Sequence, residues 1–242
     1  MLSRAASKFT PITAQAARSF AAVGNSNWGK VEMAPQDPIM GINVAFQADK
    51  RSTKQLLGIG AYRDNDGKPF ILPCVTEAEK RILAKGMDHE YSGIDGIPSF
   101  RQKSSELAFG ADHAVMKEGR VANCQSISGT GGLRLGFEFL RGTFPNKSAK
   151  VYVPDPSWPT HHGIAAKGGF ETTTYRYYDR KTRGFDVNGM LEDLDKADNE
   201  QIVVLHSCAH NPTGQDPTKE QWKQILEVCK RKQHLCAFDS AY

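Results

Sequence analysis

From residue 122 to residue 239, short β-branched runs alternate with amphipathic ones, and this restricts the fold more than any other feature of the chain. Strand-like runs stand at Ala122–Ser128, Lys150–Val153, Thr172–Tyr177, Gln201–His206 and Leu235–Phe238. Helix-like runs lie between them at Leu133–Leu140, Thr160–Lys167, Val187–Lys196 and Lys219–Lys232. The last sets Trp222, Ile225, Leu226 and Cys229 on one face. A helix between successive strands makes those strands parallel and covers the sheet. The expected fold class is α/β, a mainly parallel sheet with helices on both faces.

Upstream the signals are more local. Ile39–Lys50 reads as a short helix, Leu56–Gly60 as a strand and Asn65-Asp66-Gly67 as a tight turn. Thr76 with Glu79 three residues on predicts a capping box for a helix that runs through Lys85 and stops at Gly86. Pro98 suits the first turn of another helix, ending near Phe109-Gly110.

Composition narrows the class of protein. The 242 residues are 39% hydrophobic and 24% charged, as in a globular domain with a sizeable core. No apolar run approaches the roughly 18–20 residues of a membrane-spanning helix, so no membrane is expected among the partners. The formal charge is +4, but it is unevenly placed. The first 31 residues hold no acid and carry Arg4, Lys8, Arg18 and Lys30, the pattern of a mitochondrial transit peptide. Cleavage is expected after Phe20; removing residues 1–20 takes away Arg4, Lys8 and Arg18 and leaves a charge of +1. The basic excess therefore gives no support to nucleic-acid binding. A terminal arm with no targeting role is the alternative. Cys74, Cys124, Cys208, Cys229 and Cys236 form no C-x-x-C pair, which argues for free, buried thiols in a reducing compartment.

In parallel sheets the chemistry sits beyond the carboxyl ends of the strands. Ser128-Gly129-Thr130-Gly131-Gly132 opens a helix, where exposed N–H groups and the helix dipole favour an anion; a plain capped turn is the alternative. Trp158, between Pro156 and Pro159, is either a core plug or a flat wall for an aromatic ring. His206, Cys208 and His210 are metal-ligand types, but their spacing on a segment leaving a strand argues against a metal, and none is expected. Asn211-Pro212-Thr213-Gly214 suits a turn, and Asp239 either starts a turn or faces a cation. Taken in order, helix-start cradle, aromatic wall, Asn-Pro-x-Gly and strand-end Asp with a nearby Tyr describe a pocket for pyridoxal 5′-phosphate. A dinucleotide fingerprint at Gly129 and Gly131 competes with this, but Arg134 occupies its third glycine position.

From Trp28 onward the chain resembles the fold-type I pyridoxal-phosphate enzymes, specifically class I aminotransferases of the mitochondrial aspartate type. The resemblance is carried by Gly58-Ile59-Gly60-Ala61-Tyr62-Arg63-Asp64, Glu90-Tyr91, Ser126–Gly131, Tyr175–Asp179, His206–Gly214 and Phe238–Tyr242. It implies that Ser128, Gly129 and Thr130 hold the cofactor phosphate and that Trp158 stacks on the ring. Asn211 and Tyr242 would contact the ring oxygen, and Asp239 the ring nitrogen, with His161 and His206 behind it. Gly60, with Trp158 and Asn211, would face the substrate. Tyr91 would reach the phosphate in the neighbouring subunit of a homodimer. The implied reaction is ping-pong transamination, L-aspartate + 2-oxoglutarate = oxaloacetate + L-glutamate, in the mitochondrial matrix.

The family's Schiff-base lysine and its substrate-carboxylate arginines are expected beyond residue 242, so no catalytic residue is assigned here. The expected organisation is a transit peptide at 1–20, an arm and small-domain segment at 21–70, and an incomplete cofactor-binding large domain at 71–242. The alternative expectation is an inactive remnant that binds the cofactor weakly or not at all.

Overall fold

Four of the five strands that the alternation predicts form, and they are parallel. The computed structural model describes Val31 and residues 38–242, which divide into two units between His89 and Glu90. The transit segment read at residues 1–20 lies outside the described residues.

In the first unit, α1 (Pro38–Ala48) is followed by a tie from Lys54 Nζ to the carbonyls of Phe46 and Asp49, at 2.9 and 2.6 Å. The turn at Asn65-Asp66-Gly67 forms as expected, closed by Gly67 N–H on the Asp64 carbonyl at 3.0 Å and flanked by an Arg63–Pro69 bridge. Leu56–Gly60 forms no strand. The capping box at Thr76 does not form either. Helix α2 (Pro73–Ala84) starts with Leu72 as N-cap and Pro73 in its first turn, leaving Thr76 inside the helix. A proline already lacks the N–H that a cap would satisfy, so the helix begins earlier.

The second unit holds the sheet. Helices α3 (Pro98–Phe109) and α4 (Ala114–Lys117) precede α5 (Ser128–Thr143). Then come β1 (Val151–Asp155), α6 (Thr160–Lys167), β2 (Thr172–Arg176) and the small antiparallel pair β3 (Tyr178–Asp179) and β4 (Gly184–Phe185). Helix α7 (Val187–Lys196), β5 (Ile202–His206), α8 (Lys219–Arg231) and β6 (Leu235–Asp239) complete it. The four long strands pair in the order β2-β1-β5-β6, all parallel.

Ala122–Ser128 is not a strand. Residues 121–126 run as coil and Ser128 already belongs to α5, which is longer at both ends than the Leu133–Leu140 run. Among the described residues no strand lies beside it, and an extended segment without a ladder partner is not a strand.

Alternation along β5 divides the core. Val203 and Leu205 pack with Tyr175, Met190, Leu194 and Ile225 under α7 and α8. Ile202 and Val204 pack with Phe137, Val151, Val153 and Ile164 under α5 and α6. Helices thus cover both faces. All five β5 residues are buried, which explains a run of β-branched and leucine residues without polar alternation. Of the cysteines, only Cys229 is fully buried; Cys74, Cys124 and Cys208 are exposed, contrary to expectation, and all five are free. No helix among the described residues is long and apolar enough to cross a membrane.

Candidate active site

Parallel pairing brings the carboxyl ends of β1, β5 and β6 to one side. His206 and Asp239 are register partners, the last residues of adjacent strands. Beside them a cleft of about 340 Å³ is lined by Gly129, Gly132 and Phe137 of α5 and by Phe238, Asp239 and Ser240. The helix start and the strand-end carboxylate, 110 positions apart in sequence, thus share one cleft.

The α5 start carries no cap. Ile127 occupies the N-cap position and offers no side-chain hydrogen bond, and the first helical bond runs from Gly131 N–H to the Ile127 carbonyl at 3.1 Å. A plain capped turn is thereby excluded. A Cβ at Gly129 would meet nothing within 4 Å, so the approach to the helix dipole is open.

Asp239 is fixed from behind. His161, at 0% exposure, places Nε2 2.7 Å from Asp239 Oδ2, and its Nδ1 lies 2.9 Å from Ser157 Oγ. Ser157 Oγ is in turn 3.5 Å from His206 Nε2. His206 Nδ1 accepts the Asn211 N–H at 3.0 Å, which puts the His206 proton on Nε2 in the neutral ring. Donors therefore point one way, from Asn211 through His206, Ser157 and His161 to the carboxylate, and each bond polarises the next. The His161 hydrogen bond holds the Asp239 carboxyl below the ordinary aspartate range, against the opposing effect of burial. Burial, with His161 adding to it, pushes His206 down to about 4.

Asn211 heads a closed loop. Asp216 accepts the N–H groups of Ala209 and His210 at 2.7 and 3.0 Å, and Gly214 N–H returns to the His210 carbonyl at 2.7 Å. Tyr177 donates its hydroxyl to the Gln215 carbonyl at 2.7 Å.

Trp158 is half-buried against the core under α5 and α6, edge-on to His161 with centroids 5.3 Å apart, so it plugs and walls at once. Tyr242 is exposed, and its carbonyl lies 3.3 Å from Cys208 Sγ. Tyr91 is 98% exposed and outside the cleft lining, and Gly60 belongs to the first unit. No lysine lines the cleft. Among the described residues no group of His, Cys, Asp or Glu is arranged to hold a metal. Sequence reading gave no role to Ser157, Tyr177 or Asp216. A hydroxyl between two prolines and four residues before a His was the available signal for Ser157.

A parallel sheet thus sets an uncapped helix start and a supported carboxylate in one strand-end cleft, an arrangement able to meet an anion at one side and a protonated ring nitrogen at the other. A family model described as aminotransferase class I and II matches residues 52–242, and the chain belongs to that family. It is 48% identical over 218 residues to the mitochondrial aspartate aminotransferase of Gallus gallus, covering 90% of this chain and 51% of that one. The mitochondrial aspartate aminotransferase of Schizosaccharomyces pombe is 46% identical, with 89% and 48% covered. The chain thus spans about half the length of the relatives it matches. Among solved structures, an aromatic-amino-acid aminotransferase from Burkholderia pseudomallei, covalently bound to pyridoxal phosphate, superposes with a TM-score of 0.84. It is 43% identical, with 90% of this chain and 54% of that one covered. The cytoplasmic aspartate aminotransferase of Saccharomyces cerevisiae gives 0.81 at 43% identity, with 88% and 52% covered. The fold class is that of these aminotransferases.

Proposed function

We propose that this chain forms the cofactor-binding part of an aspartate aminotransferase (EC 2.6.1.1) acting by ping-pong exchange between L-aspartate and 2-oxoglutarate. The observation that carries the reading is the ionised Asp239, backed by His161 at 2.7 Å, beside the open start of α5. The residues present fit pyridoxal 5′-phosphate: Ser128, Gly129 and Thr130 offer an anion site, Asp239 a partner for a protonated ring nitrogen, and Trp158 a flat wall. When bound, that group withdraws electrons from the substrate α-carbon. This chain's residues would bind and orient it: Asp239 would hold a proton at the ring nitrogen, and Asn211, fastened through His206, would meet the ring oxygen. Gly60 and Tyr91 are proposed on the family resemblance, at the substrate carboxylate and at the phosphate of a partner subunit. The proposed organisation keeps a transit peptide at 1–20, an arm and small-domain segment at 21–70 and the large domain at 71–242.

A second reading is that these residues hold the cofactor weakly or not at all, without transaminating. Titration with pyridoxal phosphate, borohydride reduction and peptide mapping separate the readings. Reversible binding without a labelled lysine supports the second; one stoichiometrically labelled lysine with oxaloacetate production supports an active enzyme. Absence of any binding overturns the first.

The mitochondrial matrix is the proposed compartment, supported by the acid-free first 31 residues. Residues 1–30 fused to a fluorescent reporter should enter mitochondria, and diffuse cytosolic signal would contradict this. A homodimer is proposed as well, consistent with the exposed Leu135, Phe139 and Phe238. Light scattering on the whole protein decides it.

A further inference from the structure

One buried histidine of this site has no part in the function proposed above. His210 is 1% exposed, its ring stacked between those of Tyr177, 3.7 Å away at 14°, and His206, 4.3 Å away at 29°. Its Nδ1 lies 2.8 Å from Thr213 Oγ1, which already accepts the Gln215 N–H at 3.2 Å. Thr213 Oγ1 can donate to Nδ1 or accept from it, so Nδ1 carries a hydrogen bond in either tautomer. Nε2 is buried and carries none.

An orphaned buried polar atom costs about 1–3 kcal/mol. A phenylalanine would fill the same slot between two rings without that cost, so the role of the histidine lies at Nδ1. Through it Thr213 fixes the rotation of the His210 ring, and the fixed ring sets the plane of His206 stacked on it. The next peptide, Asn211 N–H, is the donor to His206 Nδ1.

We infer that His210, tied by Thr213, is a positioning residue that holds His206 in the one tautomer able to donate toward Ser157, and holds Asn211 at the end of β5. The titratable groups facing the pair are His161 from α6, Asp239 from β6, Tyr177 beyond β2, and Asp216 in the loop. Burial keeps both rings neutral, which agrees, since a charge on either would stand at stacking distance from the other. The inference rests on the proposed function only in taking Asn211 and Asp239 as cofactor contacts.

The test is imidazole nitrogen NMR on the whole chain with labelled histidine, from about pH 7 to about pH 5, beside circular dichroism to report folding. Native His206 should show a bare Nδ1 and a protonated Nε2 throughout; two populated tautomers there would overturn the inference without any variant. Thr213→Val and His210→Phe should each bring His206 into tautomer exchange and raise its titration by about one pH unit or more. Thr213→Ser should restore the native signature. An unchanged His206 in either folded variant overturns the inference. Pyridoxal-phosphate titration is read separately: native binding with His206 unmoved in the variants sinks the positioning role alone, and no binding by the native sample with His206 moved in the variants sinks the proposed function alone.

Discussion

Asp239 shows how one side chain depends on residues far from it in sequence. Its carboxylate reaches the cleft because β6 ends there, and it stays ionised because His161, 78 residues earlier, donates to it. A charge-assisted hydrogen bond contributes about 1.5–3 kcal/mol. Asp239→Asn keeps the shape but loses the charge, and is expected to weaken pyridoxal-phosphate binding by on the order of tenfold to a hundredfold. Absorbance titration checks this, with Asp239→Glu as the variant that keeps the charge. Gly189 makes a steric case. A Cβ there would stand 2.2 Å from Asp186 Oδ2 and 3.0 Å from Arg176 Cβ. Asp186 caps α7 through that same residue, accepting Gly189 N–H at 2.9 Å. Gly189→Ala must displace the cap, and a loss of about 1–2 kcal/mol is expected in urea denaturation. An unchanged midpoint would show that the cap yields freely.

Elements differ in how far they could be read from the chain. Helices α6 and α7 lie where periodicity puts them, and β5 reads clearly because a fully buried strand needs no alternation. Their determinants are local or directly compositional. Ala122–Ser128 fails because strand identity belongs to a pair, and its residues carry no information about whether a neighbour is present. Thr76 fails because Pro73, three residues before it, starts the helix first. The short α4 and the β3–β4 pair went unread since both are held by a few local bonds without an apolar period. The site was legible as an ordered set of strand ends, whereas its wiring was not: Ser157 and His210 take their roles from packing. Helix α8 offers a clean test of local control. Thr218 accepts Gln221 N–H while the Gln221 side chain accepts Thr218 N–H, a complete capping box. This helix covers the Ile225–Val228–Cys229 part of the core, so its first turn matters beyond itself. Thr218→Ala should destabilise the fold by about 1 kcal/mol, and Thr218→Ser should recover most of it. Equal midpoints for the alanine variant and the native chain would contradict the assignment.

At the scale of the molecule, the buried imidazoles set the response to acid. His206 is pushed down to about 4 and His210 to about 3, in both cases chiefly by burial. His234 is lowered too, again by burial, where its ring accepts Gln201 N–H at 3.2 Å and donates to the Leu194 carbonyl at 3.0 Å. In the unfolded chain all three return to the ordinary value of 6.5. Because the folded values are depressed, the unfolded state binds more protons as the pH falls below 6.5. Stability is therefore complete above that value and is lost below it. Each histidine that charges only on unfolding removes about 1.4 kcal/mol per pH unit, so His206 and His210 together approach about 3 kcal/mol per unit near pH 5, and His234 adds in the same direction. Set against a total of roughly 5–15 kcal/mol, that decides whether the domain stays folded. The lowered carboxylates Asp193, Asp195 and Asp239 act later, withdrawing their contribution as the pH falls through their own depressed values. Urea midpoints measured from about pH 7 to about pH 5 should fall steeply, with a slope equivalent to about two protons from His206 and His210 and a further contribution of the same sign from His234. His210→Phe should lower that slope by roughly one proton or more, since it removes one depressed imidazole and lets His206 titrate higher. A stability that stays flat across this range would mean that these rings exchange protons with solvent in the folded state, and that the strand-end core is open rather than sealed.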